Sequence, residues 1–206
     1  MSAPRLYLLT PPLSGPSTFA DELAAALDAA PFACVRLRMS AADEDALRRT
    51  ADQLREVCHA RDVALVLTDH YRLVASLGLD GVHLADARLS VRDARKELGR
   101  DAIVGAFAGA SKHDGMTAAE AGADYVSLGP VSPSPLGDGE TAEPHLFQWW
   151  SEMIQTPVVA EGGVTAAYIG AMAEVADFFA VDAAVWDHAD GATAGAKAAV
   201  EALGDD

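Results

Sequence analysis

The chain has 206 residues, half of them apolar, and 15 Lys+Arg against 31 Asp+Glu leave a formal charge of −16 at pH 7. That length and apolar content bury a core without disulfide or metal staples, which excludes a disordered chain. The acidic balance repels phosphate backbones and anionic lipid, so neither nucleic acid nor a membrane is an expected partner.

Residues 1–10 carry one arginine and a short apolar run, too short for a secretory signal, and no segment reaches the roughly 18 apolar residues of a membrane span. A cytoplasmic location is expected. The first strand is expected over 5–10 and the first helix over 18–29; a second strand over 32–38 precedes helical spacing over 42–60. Cys34 and Cys58 fall here, outside any C-x-x-C pair, and are expected as packed, reduced thiols. Strands over 63–69, 81–84 and 102–106 alternate with helices over 71–78, 90–98 and 111–121. The remaining strands, 125–128, 157–161 and 178–182, lead into helices over 144–154, 166–175 and 192–203. Local signals agree: Ser90 and Thr165 suit N-caps, Pro144 a first turn, and Gly122-Ala123-Asp124 a helix end feeding a strand.

Eight continuous apolar strands alternating with helices imply parallel pairing buried on both faces. The expected fold is α/β, one (β/α)8 TIM barrel with parallel strands, spanning 1–206 as a single domain. An open doubly wound sheet is the alternative, but no G-x-G-x-x-G follows the first strand, which removes its dinucleotide-binding version.

In a barrel the chemistry belongs at the carboxyl ends of the strands. Strand two ends Val35-Arg36-Leu37-Arg38, and period-two alternation sends Arg36 and Arg38 inward while Val35 and Leu37 meet the helices. Two inward guanidiniums need anions: either the carboxylates of Asp69, Glu161 and Asp182 at other strand ends, or a substrate phosphate or diphosphate. Gly162-Gly163 after strand seven suits a phosphate cradle at a helix start, or a plain tight turn. Residues 129–139, rich in Gly and Pro, form either a lid over the mouth or a surface loop, with Ser132, Ser134 and Asp138 as its polar side chains. The six histidines form no metal-ligating pair, and His70 and His83 are expected in packing. Phe147, Trp149 and Trp150 share one helix and are expected in the core or in a subunit contact of a homo-oligomer.

Several segments together resemble the thiamine phosphate synthase and TenI family of small barrels: Leu6-Tyr7-Leu8-Leu9-Thr10, Val35-Arg36-Leu37-Arg38, Thr68-Asp69, Asp80-Gly81-Val82-His83-Leu84, Gly122-Ala123-Asp124-Tyr125-Val126, Gly129-Pro130, Pro157-Val158-Val159-Ala160 and Gly162-Gly163. The resemblance implies a reaction joining hydroxymethylpyrimidine diphosphate to a thiazole phosphate with Mg²⁺, so the expected partners are small phosphorylated heterocycles. By the same resemblance Arg36 and Arg38 would act on the diphosphate as the catalytic pair, Asp69 would bind Mg²⁺, and Gly162 and Gly163 would hold the thiazole phosphate, with Thr68, Arg88 and Ser134 as further substrate contacts.

The chain departs from that pattern mainly at the mouth. Arg36 stands where glutamine is usual, Ser40 and Gly137 where lysines are usual, Thr68 for an asparagine, Arg88 for a second metal aspartate, and Ala183 for a serine. Ala106-Phe107 ends strand five where a small hydroxyl residue is expected, Ser134 can stand for a threonine, and Leu136 replaces the next threonine. Pro130 occupies the position of the TenI histidine, so thiazole tautomerase activity is not expected. A barrel acting on another phosphorylated heterocycle, or a catalytically silent binding or regulatory protein, are the alternatives.

Overall fold

Apolar runs three to six residues long, broken by Gly, Asp and Pro, become strands because they can be buried on both faces. The computed structural model describes residues 3–40, 43–85 and 89–204. Its strands are β1 (Arg5–Leu9), β2 (Phe32–Leu37), β3 (Ala64–Thr68), β4 (Gly81–Leu84), β5 (Ile103–Phe107), β6 (Tyr125–Leu128), β7 (Val158–Ala160) and β8 (Phe178–Val181). All pair in parallel and close in sequence order, β8 returning to β1, which is the (β/α)8 barrel. The helices are α1 (Phe19–Ala29), α2 (Glu44–His59), α3 (Tyr71–Leu77), α4 (Val91–Leu98), α5 (Lys112–Glu120), α6 (Pro144–Met153), α7 (Ala166–Met172), α8 (Ala183–Trp186) and α9 (Ala192–Glu201).

Capping explains where several helices begin. Asp43 accepts the Ala46 amide at 2.7 Å to open α2, and Ser90, Ser111 and Thr165 accept from the third residue beyond them to open α4, α5 and α7. Pro144 occupies the first turn of α6, where its missing N–H leaves nothing unpaired. The extra helix, α8, is a single turn started by Asp182; a four-residue segment has no apolar period to read. It docks on β1, Trp186 Nε1 donating to the Leu9 carbonyl at 2.6 Å.

Alternation along the strands divides the core in two. Leu6, Leu8, Val35, Leu37, Val126 and Val181 face the helices, while Tyr7, Leu9, Val66, Tyr125, Val159 and Ala180 fill the barrel interior. Gly105 admits the Tyr125 ring: a Cβ there would lie 2.0 Å from Tyr125 Cζ. Trp150 is buried and donates from Nε1 to the Thr156 carbonyl at 2.8 Å, which gives it a core role. Trp149 lies at the edge of that packing beneath Lys112, whose Nζ sits 4.3 Å from the ring centroid. Among the described residues no helix is long and apolar enough to cross a membrane.

Candidate active site

Arg36, in the last turn of alternation along β2, does point into the barrel, and there it meets Glu161, the residue following β7. Nη1 donates to Oε2 at 3.1 Å and Nη2 to Oε1, a bidentate pair with the two side chains 3% and 2% exposed. Burial opposes both charges, yet each holds the other ionised: Arg36 overrides the desolvation of Glu161 and brings its carboxyl down to about 2, and Glu161 raises Arg36 above its ordinary range. The guanidinium that was a candidate diphosphate contact is thus engaged by a carboxylate of the chain itself.

Beneath this pair runs a chain of polar groups drawn from β4, β6 and β1, which no local motif links. His83 Nε2 lies 3.9 Å from Glu161 Oε2, His83 Nδ1 is 2.9 Å from the Tyr125 hydroxyl, and that hydroxyl is 2.7 Å from the Tyr7 hydroxyl. Burial, with Arg36 nearby, pushes the His83 imidazole down to about 3, so it is neutral and packs as a hydrogen-bonding ring. Both tyrosines are raised above their ordinary range, chiefly by burial. Period-two spacing in three strands was the available signal; only barrel closure shows that the three groups meet.

Arg38 lies one residue beyond β2 and nearer solvent. Its Nε donates to the Thr10 carbonyl at 2.5 Å and its Nη1 is 3.2 Å from Asp182 Oδ2, with 26% and 33% of the two side chains exposed. Thr10 also accepts the Arg38 amide on Oγ1 at 3.0 Å, so a threonine read only as part of a strand-end motif fixes where the arginine stands. Asp182 Oδ1 accepts the Ala183 amide at 2.6 Å.

Arg38 and Asp182 border a pocket of about 380 Å³ together with Leu9, Ser134, Glu161 and the Gly162–Gly163 turn. The two glycines have φ of +84° and +78°, and a Cβ on them would meet Pro130 at 2.8 Å and Ser132 Oγ at 2.0 Å. They are therefore required both by the turn and by the approach of the β6 loop. That loop is pinned to them: Val131 N donates to the Glu161 and Gly162 carbonyls at 3.0 and 2.9 Å, and Ser132 Oγ to the Gly163 carbonyl at 3.0 Å. Since C=O and N–H point opposite ways across a trans peptide, the amides of Gly162, Gly163 and Val164 point away from Val131 and Ser132. Ser134 lines the same pocket, its Oγ accepting the Leu136 amide at 3.2 Å.

Asp69 stands just past β3 with φ +63°, its Oδ1 accepting the Ala85 amide at 2.7 Å. It borders a separate surface cavity of about 330 Å³ with His70, Tyr71 and Leu89. Thr68, the last residue of β3, donates from Oγ1 to the Leu37 carbonyl at 3.0 Å. Arg88 lies outside the described residues. No group of three or more His, Cys, Asp or Glu side chains is arranged to hold a metal ion among the described residues.

The profile of the thiamine monophosphate synthase family, TMP-TENI, matches residues 6–185. The thiamine-phosphate synthase of Rhodospirillum centenum is 44% identical over 192 residues, covering 92% of this chain and 93% of that protein. Its counterpart in Erythrobacter litoralis is 39% identical, covering 88% of each chain. Among solved structures, a thiamine phosphate pyrophosphorylase from Pyrococcus furiosus superposes with a TM-score of 0.85 over 97% of this chain and 95% of that one; at 22% identity this likeness speaks for the fold alone.

Proposed function

Because the chain belongs to the thiamine monophosphate synthase family, we propose that it joins hydroxymethylpyrimidine diphosphate to thiazole phosphate, forming thiamine phosphate and releasing pyrophosphate. The observation that carries this reaction to the mouth is the pocket at the carboxyl ends of the strands, where Arg38, Ser134 and the Gly162–Gly163 turn face one space of about 380 Å³. Displacement of a diphosphate by a neutral ring nitrogen transfers no proton in the bond-forming step. It depends instead on charge stabilisation of the leaving group and on alignment of the two rings.

Gly162 and Gly163 present backbone amides to the thiazole phosphate, and Arg38, lining the same pocket, supplies charge to it and to the departing diphosphate. Arg36 does not reach substrate; it fixes Glu161, whose carbonyl anchors the β6 loop through Val131. Asp69, Thr68, Ser134 and Arg88 remain our proposed contacts toward the pyrimidine diphosphate and its ion. Mg²⁺ is usually held by one or two carboxylates plus substrate phosphates. One oriented carboxylate without a wider ligand cluster among the described residues suits that mode, with Asp69 sharing an ion that arrives with the diphosphate. Such an ion would neutralise charge on the departing pyrophosphate.

One observation favours a second reading, a barrel of this family that binds phosphorylated ligands without turning them over: Arg36 and Arg38 both face carboxylates of the chain itself. Pyrophosphate release measured with each precursor alone and with both together, in Mg²⁺ and in EDTA, separates the two. Release that needs both precursors and Mg²⁺ supports the synthase; binding of the precursors without release supports the silent barrel.

A further inference from the structure

The pocket above the Gly162–Gly163 turn is lined by one cationic side chain among the described residues, Arg38, and by two carboxylates, Glu161 and Asp182. Glu161 is committed to Arg36 deep in the barrel. Asp182 is turned instead on Arg38, with Oδ2 at 3.2 Å from Nη1 and Oδ1 on the Ala183 amide. The two ion pairs differ in accessibility: Arg36 and Glu161 are 3% and 2% exposed, Arg38 and Asp182 26% and 33%. Water reaches the outer pair, so its partners can be exchanged, whereas the inner pair is locked by burial.

We infer that Asp182 sets the anion specificity of this pocket: its carboxylate is an internal competitor that occupies Arg38 until a phosphate monoester takes its place. A dianion outbids a single carboxylate for a guanidinium because it brings more charge and a third acceptor oxygen. The displaced Asp182 then stays beside it as a like charge, which weakens the complex. Asp182 is therefore a specificity-determining residue that lowers phosphate affinity and rejects monoanions, which cannot displace it. The identity of the phosphorylated ligand rests on the proposed synthase reaction; the competition for Arg38 does not.

The test is calorimetric titration of the full chain with inorganic phosphate, thiazole phosphate and acetate. Asp182→Asn keeps a side-chain oxygen for the Ala183 amide and removes the charge, and Asp182→Ser, also a good N-cap, serves if the first variant does not fold. Either substitution is expected to tighten phosphate and thiazole phosphate by about tenfold or more, the worth of one charge-assisted contact, and to make acetate binding measurable. Adding Arg38→Met to either variant should abolish the gain. Unchanged or weaker phosphate binding in a folded Asp182 variant overturns the inference, as does a gain that survives Arg38→Met. A gain without thiamine phosphate formation leaves Asp182 as the competitor and removes the synthase reaction; turnover without a gain does the reverse.

Discussion

A guanidinium 3% exposed inside a barrel is held there by the carboxylate that meets it. The alternation of Arg36 and Arg38 with Val35 and Leu37 made their inward direction legible, and the three strand-end carboxylates were legible as candidate partners. Which carboxylate each arginine takes was not, because Arg36 and Glu161 are separated by 125 residues and meet only through closure of the sheet. Replacing Arg36 by Met strands an ionised Glu161 and is expected to cost about 3–5 kcal/mol, whereas Arg36→Met with Glu161→Leu should recover most of it; urea melts of the three proteins check this. His83 adds a pH dependence. Its ring is held near 3 when folded and ordinarily titrates near 6.5, so the unfolded chain takes up the extra proton in between and stability falls as pH drops from about 6.5 toward 3. Over that window His83→Gln should flatten the slope of unfolding free energy against pH by about 1.4 kcal/mol per unit. Glu161, held near 2 against an ordinary 4.5, contributes in the same direction but lower: its stabilisation is complete above 4.5 and is lost as pH falls toward 2.

Among the elements, strand and helix existence followed from apolar runs and caps, while the ends that carry chemistry shifted. β3 and β8 were expected to reach 69 and 182, yet they stop at Thr68 and Val181, leaving Asp69 in a left-handed conformation and Asp182 as the cap of α8. Asp182 accepts the amide of the next residue, Ala183, a local hydrogen bond that competes with continuing the ladder, whereas Asp69 accepts the Ala85 amide just past β4. The β6 loop was open between a lid and a surface loop; its hydrogen bonds to the Gly162–Gly163 turn make it a wall of the pocket. Gly163→Ala combines a φ of +78° with a Cβ 2.0 Å from Ser132 Oγ, and should cost about 1–3 kcal/mol while weakening phosphate binding. Gly139→Ala, at φ +89° with nothing within 4 Å, carries the backbone strain alone and should cost only about 1 kcal/mol without affecting the pocket. Gly137, where the family pattern has a lysine, sits at φ +67° with a Cβ position 3.3 Å from Phe107. Restoring the lysine there works against both the backbone and the ring that ends β5.

At the scale of the whole molecule, the closed barrel and its membership in the family were legible because scaffold motifs such as Asp80-Gly81-Val82-His83-Leu84 serve packing and strand pairing. Gly81 shows why: a Cβ there would lie 2.0 Å from the Ile103 carbonyl oxygen, so β4 and β5 can pair as they do only with glycine. The mouth was less legible because its residues are constrained by a ligand and by one another across the barrel, with no local period to reveal them. With Arg38 as the cation that lines its pocket among the described residues, this mouth is proposed to make thiamine phosphate. The most direct measurement is steady-state formation of thiamine phosphate from hydroxymethylpyrimidine diphosphate and thiazole phosphate with Mg²⁺, by the native protein and by Arg38→Met. Product and pyrophosphate are expected in equal amounts from the native protein, with a fall on the order of 10²–10³ in the variant, the usual cost of one charge-stabilising donor. No thiamine phosphate from the folded native protein, or undiminished turnover after Arg38→Met, would contradict it.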